Sequence, residues 1–181
     1  MKILTLLRHA KSAWDDPVSR DFDRPLNRRG QRAAQTVGRE MRRLGLEFDH
    51  VIASPAVRVI ETLADVEQGY GAKLGHTYDE RLYLASPSTL LDLIHQADDL
   101  GNRILIVGHN PGLERLALSL TSGKPNALRS QLEIKYPTAT LAEIALPVDR
   151  WADAAEGEGE LQRFVRPRDL DPELGPDEDS Y

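Results

Sequence analysis

The chain alternates between two patterns of apolar and polar positions. Short apolar runs, typical of buried strands, occupy residues 2–7, 49–53, 73–78, 103–107, 138–145 and 161–165. Between several of these runs, apolar residues recur every three or four positions, as they do on a helix with one buried face. Strands that alternate with helices predict an α/β fold, a three-layer α/β/α sandwich whose mostly parallel sheet lies between helices.

Local signals place the ends of the predicted helices. Residues 28–44 carry their apolar side chains on one face, and Gly45 follows as a typical C-terminal stop. Three pairs, Ser54-Pro55, Ser86-Pro87 and Asn110-Pro111, each combine an N-cap residue with a proline suited to the first helical position. They predict that further helices begin at these three points.

Two polar segments interrupt this pattern. Residues 15–27 are rich in Asp and Arg and predict a loop, and the chain after Arg166 is rich in proline and acidic residues. Such a composition favours an extended or disordered segment. We therefore predict one domain over residues 1–166 and an acidic, extended or disordered tail over residues 167–181.

Composition narrows the function classes. The chain has 181 residues, which suits one domain, and no cysteine, which excludes disulfides, thiolate metal sites and cysteine nucleophiles. No apolar run approaches the roughly 18 residues that cross a bilayer, and no signal-peptide pattern opens the chain. We therefore predict a cytoplasmic protein without a membrane partner. A pI near 5.4 argues against a general nucleic-acid binder.

Cationic and imidazole side chains follow three of the predicted strands. The first strand ends in Arg8-His9, the second leads into a helix that carries Arg58, and the fourth ends in Gly108-His109. If these strands are parallel neighbours, Arg58 and both histidines meet at one edge of the sheet, where open α/β sheets place their chemistry. Two guanidinium groups, two imidazoles and two helix starts suit a phosphoryl group in transfer.

The same residues resemble a known family. The histidine phosphatase superfamily has three ordered motifs, and this chain has similar segments at Leu7-Arg8-His9-Ala10-Lys11-Ser12, at residues 54–62 around Arg58, and at Gly108-His109-Asn110-Pro111. The Arg-His-Ala-Lys-Ser form, with Asp23-Arg24-Pro25-Leu26 and Gly30, looks most like the SixA-type phosphohistidine phosphatases. The resemblance implies a phosphoglycerate-mutase-like architecture.

The resemblance also implies roles for individual residues. His9 would be the nucleophile that takes the phosphoryl group, and Arg8, Arg58 and His109 would hold the phosphoryl oxygens. Ser12 is a further expected phosphate contact. We expect the two arginines to lower the pKa of His9, because neighbouring positive charges disfavour the imidazolium.

The proton donor for the leaving group is less well defined by the sequence. Glu80 matches the acidic position that the mutase branch uses as general acid, and Asp79 is the neighbouring candidate. A phosphoramidate needs this acid less than a phosphate ester does, because a protonated imidazole leaves readily. The alternative for Glu80 is a surface carboxylate paired with Arg81.

The sequence therefore predicts a metal-independent phosphatase without a cofactor, acting on a phosphorylated protein such as a histidine-containing phosphotransfer domain. The alternatives are a phosphatase of small phosphate esters, whose substrate is a phosphorylated metabolite, and a phospho-ligand binding module without turnover. A mutase is disfavoured because Ala10-Lys11 stands where that branch has Gly-Glu. A metal site at His9 and His109 is disfavoured because neighbouring arginines repel a cation.

Overall fold

The computed structural model of the chain describes residues 1–14 and 20–175, so part of the predicted 15–27 loop lies outside it. Six strands are found within these residues: β1 (Lys2–Arg8), β2 (His50–Ala53), β3 (Thr77–Tyr78), β4 (Arg103–Gly108), β5 (Leu141–Leu146) and β6 (Glu160–Val165). Six α-helices accompany them: α1 (Arg28–Arg43), α2 (Val57–Tyr70), α3 (Pro87–His95), α4 (Gly112–Leu120), α5 (Ala127–Ile134) and α6 (Pro167–Leu170).

The strands form one sheet in the order β3-β2-β4-β1-β5-β6. The pairs β3–β2, β2–β4 and β4–β1 are parallel, whereas β5 runs antiparallel to both β1 and β6. The prediction of a mostly parallel sheet is confirmed. In this order β2, β4 and β1 are parallel neighbours. Their carboxyl ends therefore lie at the same edge of the sheet, as the predicted site requires.

Two apolar cores cover the two faces of the sheet. Successive side chains of a strand point to opposite faces. Leu6 of β1 therefore packs with α3, α4 and α5, while Leu7 packs with α1 and α2. Both side chains are fully buried. The arrangement is the predicted three-layer sandwich, with the sheet in the middle.

Two glycines allow close backbone approaches beside the parallel strands. A Cβ on Gly38 of α1 would lie 2.1 Å from the carbonyl oxygen of Val66, so α1 and α2 pack with their backbones nearly in contact. A Cβ on Gly30 would lie 2.1 Å from the carbonyl oxygen of Lys11. The first turn of α1 therefore rests directly on the segment that follows β1.

Several local predictions are corrected by the structure. The third strand is only Thr77–Tyr78, shorter than the predicted 73–78, and α5 was not foreseen. Helix α2 begins only at Val57, with Ala56 as its N-cap, and the Ser54 hydroxyl accepts from the Ala56 amide at 3.3 Å and meets His109 at 2.8 Å. Helix α3 begins as predicted, with the Ser86 side chain accepting from the Thr89 amide.

The chain after Arg166 also differs from its prediction as an extended or disordered tail. Over residues 167–175 it forms α6 and a 3₁₀ turn, Pro172–Leu174, which pack against α1. Arg32 of α1 pairs with Asp171 at 2.6 Å and with Glu173 at 2.8 Å, and Leu174 is buried. The acidic residues thus serve as partners for an arginine of α1. Residues 176–181 lie outside the described part.

Among the described helices, none combines the length and apolar character that a bilayer span requires.

Candidate active site

The carboxyl ends of β1 and β4, with the start of α2, bring the predicted residues together. Arg8 lies opposite Gly108 in the parallel β1–β4 ladder, so His9 and His109 both leave the sheet at the same level. Their ring centroids are 5.4 Å apart, and Arg58 contacts both rings. All four side chains belong to residues at most 5% exposed. The predicted convergence of these residues is therefore present.

The hydrogen bonds of His9 define its tautomer. Its Nδ1 lies 2.7 Å from the carbonyl oxygen of Ala10, and because a carbonyl oxygen only accepts, Nδ1 must carry the proton. Nε2 then keeps its lone pair, and the Nε–H of Arg58 donates to it over a long 3.4 Å. The nitrogen that faces the arginine is thus the one with an available lone pair, the form that a nucleophilic histidine requires.

His109 has the opposite tautomer. Arg58 Nη2 donates to Nδ1 of His109 at 3.3 Å, so this nitrogen is the acceptor. Nε2 must then carry the proton, which it donates to the Ser54 hydroxyl at 2.8 Å. Sequence reasoning assigned Ser54 to a helix cap. Its function in the structure is to orient the second histidine.

Burial keeps both imidazoles neutral. It is the first cause that lowers the pKa of His9 well below its usual 6.5, and the charge of Arg8 is the second. Burial and the charge of Arg58 lower the pKa of His109 to about 3. The predicted direction for His9 is confirmed, and burial is a larger cause than the charges of the arginines. A neutral imidazole is the form that can attack phosphorus.

Asp21 fixes the outer edge of Arg58. Arg58 Nη1 donates to the Asp21 carbonyl oxygen at 2.8 Å, and Nη2 donates to its carboxylate at 2.9 Å. The remaining contacts of the guanidinium, those to the two histidines, are longer by about half an ångström. We infer that Asp21 holds the guanidinium in place, while the N–H groups facing the histidines are available to a phosphoryl oxygen.

The Asp21 carboxylate has two further partners. The Tyr83 hydroxyl donates to it at 2.6 Å and Arg24 Nε donates at 3.0 Å. Burial would raise the pKa of Asp21, but the Tyr83 hydrogen bond and the charge of Arg58 lower it to about 2. The Tyr83 ring also meets His109 edge to face, with centroids 5.3 Å apart. Sequence reasoning missed Asp21 and Tyr83, because only the fold brings them to Arg58.

Arg8 faces a second part of the edge. Its Nη1 donates to the carbonyl oxygen of Tyr136 at 2.9 Å. The same side chain lines an open groove together with Asn110, Ile134 and Lys135. Ile134 is 83% exposed and gives the groove an apolar lip, and the carboxylate of Glu114 lines the groove together with the two cations.

Ser12 and Glu80 have less direct placements. The Ser12 hydroxyl accepts a 2.5 Å hydrogen bond from Arg24, and Arg24 in turn stacks on the exposed ring of Trp14. The phosphate contact of Ser12 stays a prediction. Glu80 is exposed and opens the 3₁₀ turn Glu80–Leu82, which leads directly into Tyr83.

The predicted pairing of Glu80 with Arg81 is not the one found. Arg81 pairs with Asp79 at 2.7 Å, and Asp79 also caps the turn. The Asp79 carboxylate is thus engaged in an ion pair with Arg81, whereas Glu80 is the exposed carboxylate of the turn that leads into Tyr83. The role of Glu80 as general acid stays a prediction.

Within residues 1–14 and 20–175, His, Asp and Glu side chains form no group of three that could hold a metal ion. The centre of the site is instead crowded by the positive charges of Arg8 and Arg58, which favour an anion.

Comparisons with known proteins agree with this geometry. Residues 4–83 match the model of the histidine phosphatase superfamily, branch 1. An uncharacterized protein of Mycobacterium tuberculosis is 37% identical over 164 residues, which are 90% of this chain and the whole of that protein.

Solved structures extend the likeness to the whole fold. The protein assigned as the phosphohistidine phosphatase SixA of Nakamurella multipartitia has a TM-score of 0.78 and 28% identity, covering 92% of this chain and 96% of that one. Its counterpart from Agrobacterium tumefaciens has a TM-score of 0.75 and 28% identity, covering 92% of this chain and 98% of that one.

Proposed function

The chain belongs to the histidine phosphatase superfamily and is a phosphatase of SixA-type fold, and on this premise we propose that it removes phosphoryl groups from phosphohistidine in proteins. The reaction would pass through a phosphohistidine on His9 and need no metal. The observation that carries this proposal is the neutral His9 ring, whose Nε2 lone pair faces Arg58 while Nδ1 is tied to a backbone carbonyl.

The first step forms one bond and breaks another. The substrate imidazole first takes a proton from solvent on its free nitrogen; His9 Nε2 then attacks phosphorus, the bond from phosphorus to that imidazole breaks, and the imidazole leaves as the neutral ring. Arg8 and Arg58 neutralise the charge on the phosphoryl oxygens, which is the main contribution that a protein makes to phosphoryl transfer. The N–H groups of Arg58 that rest on the histidines exchange those long contacts for phosphoryl oxygens.

His109 changes protonation state when the phosphoryl group binds. In the free site its Nδ1 accepts from Arg58. A phosphoryl dianion beside the ring favours the imidazolium, since an opposite charge stabilises the charged form. Nδ1–H then donates to a phosphoryl oxygen, while Nε2–H keeps its hydrogen bond to Ser54. In the second step, water attacks phosphorus, and the bond to His9 Nε2 breaks.

Two observations support a protein substrate. Both SixA relatives at 28% identity are assigned as phosphohistidine phosphatases. The groove beside Arg8 is open and has an exposed isoleucine at its lip, which suits a polypeptide segment next to the phosphoryl group. The predicted partner, a histidine-containing phosphotransfer domain, and the predicted cytoplasmic location belong to this proposal.

A paired hydrolysis assay in the presence of a chelator tests the proposal. One substrate is a histidine-phosphorylated phosphotransfer domain, and the other is an aryl phosphate. We expect fast loss of phosphohistidine and slow ester hydrolysis, with His9→Ala reducing the rate at least about 10³-fold. His76→Ala is the matched control, since His76 contacts Tyr78 away from the site.

Labelling sharpens the result. Substrate carrying labelled phosphorus should transiently label the wild-type chain and leave His9→Ala unlabelled. Fast ester hydrolysis with an inert phosphoprotein would reassign the enzyme to small phosphate esters. Tight phosphate binding without turnover of either substrate would contradict the phosphatase proposal altogether.

A further inference from the structure

A buried threonine connects the end of β1, where His9 lies, to the helix that carries Arg58. Thr62 lies one turn after Arg58 in α2, and its side chain is fully buried. Its hydroxyl oxygen is 2.9 Å from the amide nitrogen of Ala10 and 2.6 Å from the carbonyl oxygen of Arg58. The reaction steps given above do not involve this hydroxyl.

The backbone partners determine the direction of both hydrogen bonds. The amide of Ala10 can only donate, and the carbonyl oxygen of Arg58 can only accept. The hydroxyl of Thr62 therefore accepts from Ala10 and donates to Arg58. A bond from a helical threonine to the carbonyl four positions earlier is common. The bond to Ala10, by contrast, spans 52 positions and exists only because of the fold.

The backbone leaves the sheet at Ala10. The amide of His9 still donates to the carbonyl oxygen of Gly108 at 3.0 Å and so extends the β1–β4 ladder by one bond. The next amide, that of Ala10, donates to the side chain of Thr62 instead. Ala10 is fully buried, so without the hydroxyl its amide would be a buried donor that has lost its acceptor.

The same alanine holds the ring of the nucleophile. Its carbonyl oxygen accepts the Nδ1 proton of His9 at 2.7 Å. Thr62 thus fixes Ala10 at its amide, and the carbonyl of Ala10 fixes the His9 tautomer that keeps the lone pair on Nε2. Only the two soft dihedral angles of Ala10 separate its amide from its carbonyl, so a displaced amide also displaces the carbonyl.

The second bond of the hydroxyl fixes the cation relative to the nucleophile. The side chain of Arg58 donates to Nε2 of His9 at 3.4 Å, and its backbone carbonyl is the group that Thr62 contacts. One hydroxyl therefore joins the backbone on both sides of the reacting nitrogen. Phosphoryl transfer depends on the positions of such groups, so a small displacement of either one slows the reaction.

We propose that Thr62 is a positioning residue for phosphoryl transfer. Its hydroxyl holds the backbone of Ala10 so that His9 stays protonated on Nδ1 and can attack through Nε2. Thr62 does not contact the phosphoryl group and acts only through Ala10 and Arg58. This role rests on the proposed function, because it takes His9 as the nucleophile.

Thr62→Val removes the hydroxyl and keeps the branched shape of the side chain. The variant is assayed with whichever of the two substrates the wild type hydrolyses faster. We expect kcat to fall at least about tenfold and KM to stay within about twofold, because Thr62 places the nucleophile and does not bind substrate. Thr62→Ser restores a hydroxyl and should regain most of the lost activity.

Thr121→Val is the matched control. Thr121 is also fully buried, and its hydroxyl also donates to the carbonyl four positions earlier, that of Ala117, at 2.7 Å. It accepts from Arg129 at 3.1 Å and follows the end of α4 that is farther from His109. We expect Thr121→Val to lower the melting temperature as Thr62→Val does and to keep the wild-type kcat.

NMR of the imidazole nitrogens distinguishes positioning from a purely structural role. At neutral pH the wild type should show His9 with a protonated Nδ1 and an unprotonated Nε2, signals that His9→Ala identifies by their loss. Thr62→Val should show a mixture of both His9 tautomers, whereas Thr62→Ser should resemble the wild type. His109 is the internal reference, because its Nε2 proton goes to Ser54 and should stay there.

The outcomes separate this role from the proposed function. Wild-type kcat in Thr62→Val, an equal loss in Thr121→Val, or a slow Thr62→Val with a single His9 tautomer would each overturn the positioning role and leave the function intact. A wild type that hydrolyses neither substrate would overturn both. If Thr62→Val does not fold, Thr62→Cys replaces it, because a thiol has nearly the size of a hydroxyl but accepts weakly. Equal rates for Thr62→Cys and Thr62→Ser would then refute the role.

Discussion

The two cationic regions at this edge of the sheet use their charges differently. Around His9, Arg58 is tied to the carboxylate and carbonyl of Asp21, and Arg8 is tied to the carbonyl of Tyr136. Between α1 and the C-terminal segment, a small cavity is lined by Lys11, Arg29, Lys135, Arg166 and Arg168, of which Arg29 and Arg168 are exposed and Arg166 pairs with Asp169. Around His9, hydrogen-bond partners orient the guanidinium N–H donors. The cavity beside α1 instead brings several positive charges together.

This difference in how the cationic side chains are held indicates how each region acts on an anion. Catalysis needs donors that are already placed where charge develops, so each guanidinium is fixed by a partner on its far side. Binding by a field of charges needs no fixed direction, but it falls as salt is added. Four experiments test whether the two regions differ in this way.

The largest effect should come from Arg58→Lys. The ammonium keeps the charge and loses the planar fork that contacts Asp21 and both histidines. We expect kcat/KM to fall by about 10²–10³-fold, as when one donor to a developing anion is lost. Arg42→Lys, on the exposed face of α1, is the control and should have full activity. A small loss would mean that charge alone suffices at this position.

Leu174→Ala should disturb only the other region. Removing this buried side chain should lower the free energy of unfolding by about 2 kcal/mol, measured by urea denaturation. Aryl phosphate hydrolysis should stay normal, because Leu174 packs in the apolar core beside α1. Leu100→Ala is the control, because Leu100 is 92% exposed. Loss of aryl phosphate hydrolysis would show that the two regions are not independent.

Acid should weaken the fold through the buried histidines. The folded-state pKa of His109 is lowered to about 3, so between pH 6.5 and that value the unfolded chain binds the extra proton. The stability that this histidine contributes is complete above pH 6.5 and is lost as the pH falls. From pH 7 to 5 the loss is about 2 kcal/mol.

Denaturation of wild type and His109→Gln at both pH values checks this. The variant should lose about 2 kcal/mol less than the wild type between pH 7 and 5. Leu100→Ala, an exposed substitution that removes no titratable group, should follow the wild-type slope. An unchanged slope in His109→Gln would mean that the ring is already protonated in the folded protein.

The smallest effect should come from Asp21→Asn. The amide keeps the size of the side chain and removes the charge that holds Arg58, so we expect kcat/KM to fall about tenfold, or about 1.4 kcal/mol. Asp23→Asn is the control, since Asp23 pairs with exposed Arg20. A faster variant would indicate that the Asp21 carboxylate competes with the phosphoryl group for Arg58.

The strand ends show how far the sequence could predict the site. Apolar runs that end in Arg8-His9 and Gly108-His109 predict that these polar side chains lie at the carboxyl ends of parallel strands. The structure places β4 beside β1, as this prediction requires. These residues are positioned by the regular backbone of neighbouring strands. The strand period and the parallel order therefore sufficed to bring them together.

Asp21 and the C-terminal segment show where prediction from the sequence failed. Asp21 lies in a segment without periodicity, and its contact with Arg58 spans 37 positions that only the fold closes. Residues 167–175 have the composition of a disordered tail, yet Leu174 and the Arg32 ion pairs dock them on α1. Composition averages over a segment, whereas docking depends on a few anchoring residues.

The return of the C-terminal segment to the active edge has a practical consequence for fusing this chain to another protein. Met1 is exposed and precedes β1 at the opposite edge, and a seven-residue strand spans about 23 Å. A partner or surface attached there stands away from both cationic regions. A partner attached beyond Gly175 would instead be tethered next to the cations Arg29 and Arg168, at a high local concentration.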